Sequence, residues 1–178
     1  MAENKILTEK VRLSYAHLFH PQAPEGGGEA KYSVCLLIPK TDAVTLGRVR
    51  AAIETAKAQG IEKWGGKVPT GLKLPLRDGD IERPDSPEFA GMLFMNCNSK
   101  NAPLVVNQQK QDIIDSSEVY SGCYAKASVS FYPFNVNGNR GVGCGLNGIQ
   151  KISDGEPLGG GRETADEMFG EDEEDPLG

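Results

Sequence analysis

The sequence predicts a mainly β fold, a small barrel or strongly curved sheet with one α-helix, and three observations carry that reading. Apolar and polar residues alternate in several separate runs, which is the two-residue period of a half-buried strand. One stretch alone has the three- and four-residue spacing of a helix. Gly and Pro number 22 and 11 among 178 residues, about 19% against a usual ~12%, so turns and irregular chain are frequent. With 38% hydrophobic residues the chain is long enough for one sizeable core and too short for two.

A first strand is expected over residues 10–19, where Val11, Leu13 and Tyr15 alternate with Arg12 and Ser14. A Pro- and Gly-rich loop, 20–29, follows. KYSVCLLI, at 31–38, is almost continuously β-favouring and stops at Pro39. The helix comes next: Thr41 or Asp42 caps it, Leu46, Val49, Ile53 and Ala56 share a face, and Gly60 ends it. Strand, strand, helix does not begin a parallel βαβ array. Residues 63–89 are broken by Gly and Pro and read as a long exposed excursion with short extended pieces, a type of segment that often carries function.

MLFMNCNSK, at 92–100, puts Leu93, Met95 and Cys97 on a core face and Phe94, Asn96, Asn98 and Lys100 on the opposite one. The strand expected at 120–134 carries Cys123, Ala125, Ala127, Val129 and Phe131 inward. Its other face holds Tyr120, Tyr124, Lys126, Ser128, Ser130, Tyr132 and Phe134. Asn137-Gly138-Asn139 supplies a turn, and a last strand, 141–152, sets Val142, Cys144 and Leu146 against Gly141, Gly143 and Gly145. The inventory fits an OB-like five-stranded antiparallel barrel with one α-helix and a long irregular loop, and also fits another α+β sheet.

Charge divides the chain in two. The formal net charge is −6, but residues 154–178 hold ten acids and one base, a charge of −9, which leaves +3 on residues 1–153. The first part reads as a single domain, 1–153. The second, 154–178, reads as a disordered acidic tail, because its glycines and acids leave too little apolar surface to offset the entropy of ordering. Met168, Phe169 and Pro176-Leu177 sit among Glu171, Asp172, Glu173, Glu174 and Asp175, a composition suited to docking on a basic partner with apolar pockets. No apolar run approaches the ~18 residues of a membrane span, and MAENKILTEK lacks the core of a signal peptide, so a cytoplasmic, membrane-free protein is expected.

The patterns that suggest catalysis or cofactors do not hold together. Cys35, Cys97, Cys123 and Cys144 lie at least 21 residues apart and read as small core residues, and His17 and His20 have no companions for a metal shell. Gly143, Gly145 and Gly148 match G-x-G-x-x-G, yet no helix follows and no βαβ unit surrounds them. Asp78, Asp80, Glu82 and Asp85 are interleaved with Arg77 and Arg83, as on a solvated loop. Neither a cofactor nor a metal is expected, and the chain is not read as an enzyme.

The aromatic face does suggest a ligand. Rings on the open face of a sheet expose apolar surface unless something covers them, and unpaired bases stack there with ~1–3 kcal/mol each and little regard for sequence. Tyr124, Tyr132, Phe134 and Phe94 are the stacking candidates. Lys100, Lys126, Arg140 and Arg12 are the phosphate contacts, with Asn96 and Asn98 for neutral hydrogen bonds, and Trp64 and Lys73 as a flap from the long loop. The rival explanation is that Tyr120, Tyr132 and Phe134 form a second small core under residues 63–89.

SGCYAKASVSFYPFNVNGNRGVGCGLNGIQKISDGEPLGG, at 121–160, resembles the phage single-stranded-DNA-binding protein family. There a similar S-G-C-Y-A-x-A-S-x-S-F-Y segment precedes N-G-N-R-G-V-G and Q-K-x-x-D-G-E-P-L-G-G. KVRLSYAHLF and KYSVCLLIPK with its following helix are similar to that family too, so the resemblance covers residues 5–160. It implies an OB-fold protein that coats single-stranded DNA in phage replication, recombination and repair, without catalysis and with possible self-association on DNA. Acidic tails of related proteins recruit polymerase, helicase or primase and can occupy the DNA groove. Those tails end in an aromatic residue, whereas this chain ends Asp175-Pro176-Leu177-Gly178 and has Phe169 as its one tail aromatic. The alternative is a virion structural or assembly protein, which forms large homo-oligomers and ignores oligonucleotides.

Overall fold

A computed structural model describes residues 4–23, 29–136 and 138–158. Along the chain run β1 (Lys5–Leu7), β2 (Val11–Gln22), β3 (Lys31–Pro39), helix α1 (Ala43–Gly60), β4 (Leu76–Asp78) and the one-turn helix α2 (Gly79–Glu82). They are followed by β5 (Met92–Ser99), β6 (Leu104–Val106), β7 (Tyr124–Val136) and β8 (Asn139–Ser153). The five long strands lie where alternation predicts them, with ends shifted by a few residues; the three-residue β1 and β6 and the one-turn α2 are not among the predicted elements, and β4 falls in the stretch read as short extended pieces. No helix among the described residues is long and apolar enough to cross a membrane.

Five strands close into the barrel. β2 pairs with β3, β3 with β5, β7 with β8, and β7 returns to β2, all antiparallel. One seam differs from the antiparallel expectation: β5 meets β8 in parallel, through the single register pair Asn98 and Gly145. β1 continues β2 along β7. The break between them is bridged by Thr8, whose N–H donates to the Ala127 carbonyl while its hydroxyl accepts the Ala127 N–H, both at 2.9 Å.

Inward positions follow the two-residue period. Cys123, Ala125, Ala127, Val129 and Phe131 are all fully buried, as are Met95 and Cys97 from β5 and Leu36 and Ile38 from β3. α1 plugs the barrel with Leu46, Val49, Ala52, Ile53 and Ala56, and its first turn is capped by Asp42, which accepts the Thr45 N–H at 3.0 Å. Gly60 is required by close approach: a Cβ there would stand 2.5 Å from the Pro133 Cβ and 2.7 Å from the Trp64 ring. The chain turns sharply after Trp64, at Gly65, with φ of +86°.

The excursion after α1 folds back and builds a second apolar cluster outside the barrel. Cys35, Leu37 and Phe94, on the outer side of β3 and β5, are closed over by Phe89. Phe89 meets Phe94 edge to face with centroids 5.1 Å apart, and the Arg83 guanidinium lies 5.5 Å and 5.7 Å from the two rings. Lys40 anchors the cover through Asp78 at 2.9 Å and Asp80 at 2.8 Å, so these acids hold a turn in place.

The body also extends past Ser153. Tyr120 bonds Asp154 and Gly155, Arg12 donates to the Glu156 carbonyl at 2.6 Å, and the Leu158 N–H donates to the Ser121 carbonyl at 2.8 Å. Leu158 packs against the outer cluster. Residues 154–158 are therefore a strap on the domain, which corrects the boundary read from charge at 153. The predicted tail beyond them, with Phe169, Glu171, Asp172, Glu173, Glu174 and Asp175, lies outside the described residues.

Candidate nucleic-acid interface

Strand register aligns a row of small polar residues across the outside of the barrel. His17 pairs with Ser33, Ser33 with Asn98, Asn98 with Gly145, Gly145 with Ser130, and Ser130 with Lys5. Every member before Lys5 is half-buried, and Lys5 is exposed. Between His17 and Lys5 the row has no side chain bulky enough to keep a flat ring away from the sheet. Asn147 borders it, donating to Ser130 Oγ at 3.0 Å and Ser128 Oγ at 3.4 Å.

One step toward the β7–β8 hairpin, Tyr132 pairs with Gly143, and its ring lies flat on that glycine. A Cβ at Gly143 would stand 2.6 Å from the ring, whereas at Gly145 the nearest ring atom would be 3.7 Å away, an ordinary contact. Here Gly143 of the G-x-G-x-x-G match finds its use: it seats a tyrosine that is 42% exposed. Burial of the covered side, with the Cys144 and Cys97 sulfurs nearby, raises the Tyr132 pKa above its ordinary value.

Basic residues flank the row on both of its sides, along the strands. On the hairpin side Lys73 pairs with Gly141 beside the half-buried Phe134, its ammonium 3.2 Å from Asn139 Oδ1, and Arg140 is exposed next to it. On the other side His17, Lys31, Ser33 and Asn98 line a groove of about 530 Å³ at the base of the β2–β3 loop. Lys100 stands on that side, 3.6 Å from Glu29. Lys31, Lys73, Lys126 and Arg140 have no carboxylate within 4.0 Å among the described residues. Burial lowers the His17 pKa, so that imidazole is neutral at pH 7.

Of the stacking and phosphate candidates, the structure brings together Tyr132, Phe134, Lys73 and Arg140, and sets Lys100 across the row from them. Two candidates are corrected. Phe94 is 2% exposed, because Phe89 and Arg83 cover the face on which alternation correctly places it. Trp64 is 5% exposed and no flap: its ring packs on Gly60 and its indole N–H donates to the Phe134 carbonyl at 2.9 Å.

Tyr124, Arg12 and Lys126 form a separate group toward the strap. Lys10 and Arg12 stand 5.5 Å and 5.7 Å from the Tyr124 ring, and Gly155 passes against the ring's edge. Arg12 also donates to the Gly122 carbonyl at 3.0 Å. Lys126 pairs with Gln150 and lies four register pairs beyond Ser130. Sequence reasoning missed Lys31, Ser33 and His17 as members of the row, although Lys31 and Ser33 alternate with the core residues of their strand and are open to the same argument as Asn96 and Asn98.

Known proteins share this architecture. The family model described as Enterobacter phage Enc34, ssDNA-binding protein, matches residues 4–177. Putative protein p50 of Acyrthosiphon pisum secondary endosymbiont phage 1 is 33% identical over 175 residues, covering 93% of this chain and 92% of its own. The solved single-stranded DNA-binding protein from bacteriophage Enc34, in complex with ssDNA, matches with a TM-score of 0.78 at 29% identity, over 88% of this chain and 90% of that one. The single-stranded DNA-binding protein gp2.5 of bacteriophage T7 is similar in fold, with a TM-score of 0.63 at 18% identity, over 92% and 99% of the two chains.

Proposed function

The chain belongs to the phage Enc34 single-stranded-DNA-binding protein family, and from that premise we propose that it binds single-stranded DNA across the polar row, without catalysis and with little regard for sequence. The observation that carries the reading is Tyr132, a large ring held open to solvent on glycine beside an uncharged floor of Ser130, Gly145 and Asn98 with bases on both sides. Ser33 and Asn98 stand on the second and third barrel strands, and Gly145 and Ser130 on the fifth and fourth; OB folds take oligonucleotides on the face of the second and third strands, which supports this reading. Bases stack on Tyr132 and settle against Ser130, Gly145 and Asn98. Lys73, Arg140, Lys31 and Lys100 meet the phosphates. Tyr124, Arg12 and Lys126 lie outside this path.

In the host cytoplasm this activity serves to coat single-stranded DNA during phage replication, recombination and repair. Four neutralised phosphates correspond to a slope of about −3 in log K against log salt, taking ~0.7 per phosphate on a single strand. The double substitution Lys73→Ala with Arg140→Ala is expected to flatten that slope by about 1.4. A slope unchanged in the double variant would place the phosphates elsewhere.

The tail acts on the same surface or on a partner. Its acids compete with phosphate, and Phe169 with Glu171, Asp172, Glu173, Glu174 and Asp175 offers an acidic, apolar segment to a polymerase, helicase or primase. A chain ending after Leu158 is expected to keep the full-length Tm and to bind oligonucleotide more tightly at low salt, with the difference closing as salt rises. A chain ending after Ser153 also loses the strap. With hydrogen bonds at ~1 kcal/mol each and the Leu158 contact removed, its Tm should fall by roughly 5–10 °C. Equal low-salt affinities for the full chain and the chain ending after Leu158 would exclude competition by the tail.

A further inference from the structure

Cys97 and Cys144 face each other inside the barrel at its narrowest seam. Each stands one residue before the pair Asn98 and Gly145, the one register pair that joins β5 to β8, whereas thirteen pairs join β7 to β8. The two sulfurs are 2.9 Å apart, and the residues are 0% and 3% exposed. Paired strands hold their backbones about 4.8 Å apart, within the 4.4–6.8 Å between Cα atoms that a disulfide spans, and the sulfurs need to close by only ~0.9 Å to reach the covalent length of about 2.05 Å.

We propose that Cys97 and Cys144 are a redox-sensitive dithiol, which a small peroxide oxidises to a disulfide that staples β5 to β8 directly behind Asn98 and Gly145. One thiol gives up its proton as its sulfur attacks the peroxide. The O–O bond breaks, a sulfenic S–O bond forms and one water leaves. The second sulfur then displaces the sulfenic oxygen, which departs as water with the second thiol's proton. Two thiols are oxidised by two electrons in all, and one hydrogen peroxide is reduced to two waters.

Burial and the neighbouring Cys144 sulfur hold the Cys97 thiol well above its ordinary pKa, so the pair reacts slowly and requires an oxidant small enough to enter the barrel. Burial likewise pushes Cys35 up to about 12. No second sulfur stands within bonding reach of Cys35 or Cys123 among the described residues. The staple rests on barrel geometry and is independent of the DNA-binding reading.

The test treats the intact chain with hydrogen peroxide and maps its disulfides by mass spectrometry of a non-reduced digest. The expected result is a cross-link between the peptides holding Cys97 and Cys144, a loss of two hydrogens in the intact mass, and two of the four thiols still titratable after denaturation. Dithiothreitol should reverse it, and closing the loop should raise Tm by about 10 °C. A Cys35→Ser chain should behave as the parent does, and a Cys144→Ser chain should form no intramolecular link. Four free thiols after treatment, a link through Cys35 or Cys123, disulfides between chains, or Cys97 oxidised without a partner would each overturn the proposal, whether or not the protein binds DNA.

Discussion

Tyr132→Ala is expected to weaken binding of an oligo-dT by about 5- to 150-fold, the range that ~1–3 kcal/mol of lost stacking produces, and to leave Tm nearly unchanged. The two outcomes separate because of where the ring sits. It is 42% exposed and rests on Gly143 and the edge of Gly145. Removing it opens a shallow depression on the surface and no cavity in the core, whose nearest members, Phe131 and Cys144, face the other way. Fluorescence anisotropy and thermal unfolding of the same preparation check both. An affinity within twofold of the parent would mean that bases do not stack on this face.

Phe94→Ala should do the reverse. Phe94 is fully enclosed, it meets Phe89 edge to face, and Arg83 lies over both rings. Truncation empties the middle of a small cluster that also contains Cys35 and Leu37. The expected cost is about 3–5 kcal/mol, enough to lower Tm by ~10 °C or more in a chain of this size. The cover formed by α2 and Phe89 should loosen at the same time, because Phe94 is what it packs on. At a temperature where the variant is still folded, oligonucleotide affinity should stay close to that of the parent. A large affinity loss with Tm intact would restore Phe94 to the stacking surface.

Period-two alternation makes most of the barrel legible in the sequence. It places Cys123, Ala125, Ala127, Val129 and Phe131 inside and Ser128, Ser130 and Tyr132 outside, and each is where alternation puts it. What alternation cannot state is what covers an outward residue. Phe94 and Tyr132 have the same local signature, yet residues 79–89 return over one and leave the other open, because the return is fixed by Lys40 with Asp78 and Asp80, about forty residues apart in the chain. Trp64 shows the same limit, since its burial depends on Gly60 and Pro133 allowing a close approach.

Composition misplaces the domain boundary for a related reason. Asp154 and Glu156 count as tail by charge, but Glu156 contributes its backbone carbonyl to Arg12, and Leu158 contributes an apolar side chain to the outer cluster. The row of small residues is only half visible in the sequence. Asn96, Asn98 and the glycines stand out on single strands, whereas their alignment with Ser33, His17 and Ser130 depends on the β5–β8 seam, which no local pattern announces.

The most direct test of the central claim is anisotropy of a labelled oligo-dT across salt concentration, with an unlabelled duplex of equal length as competitor, for the parent chain and for Tyr132→Ala. The account predicts salt-sensitive binding that the duplex competes poorly, weakened at least about fivefold by the substitution. Binding that the duplex displaces as well as single strand does, or that Tyr132→Ala leaves intact, would contradict it.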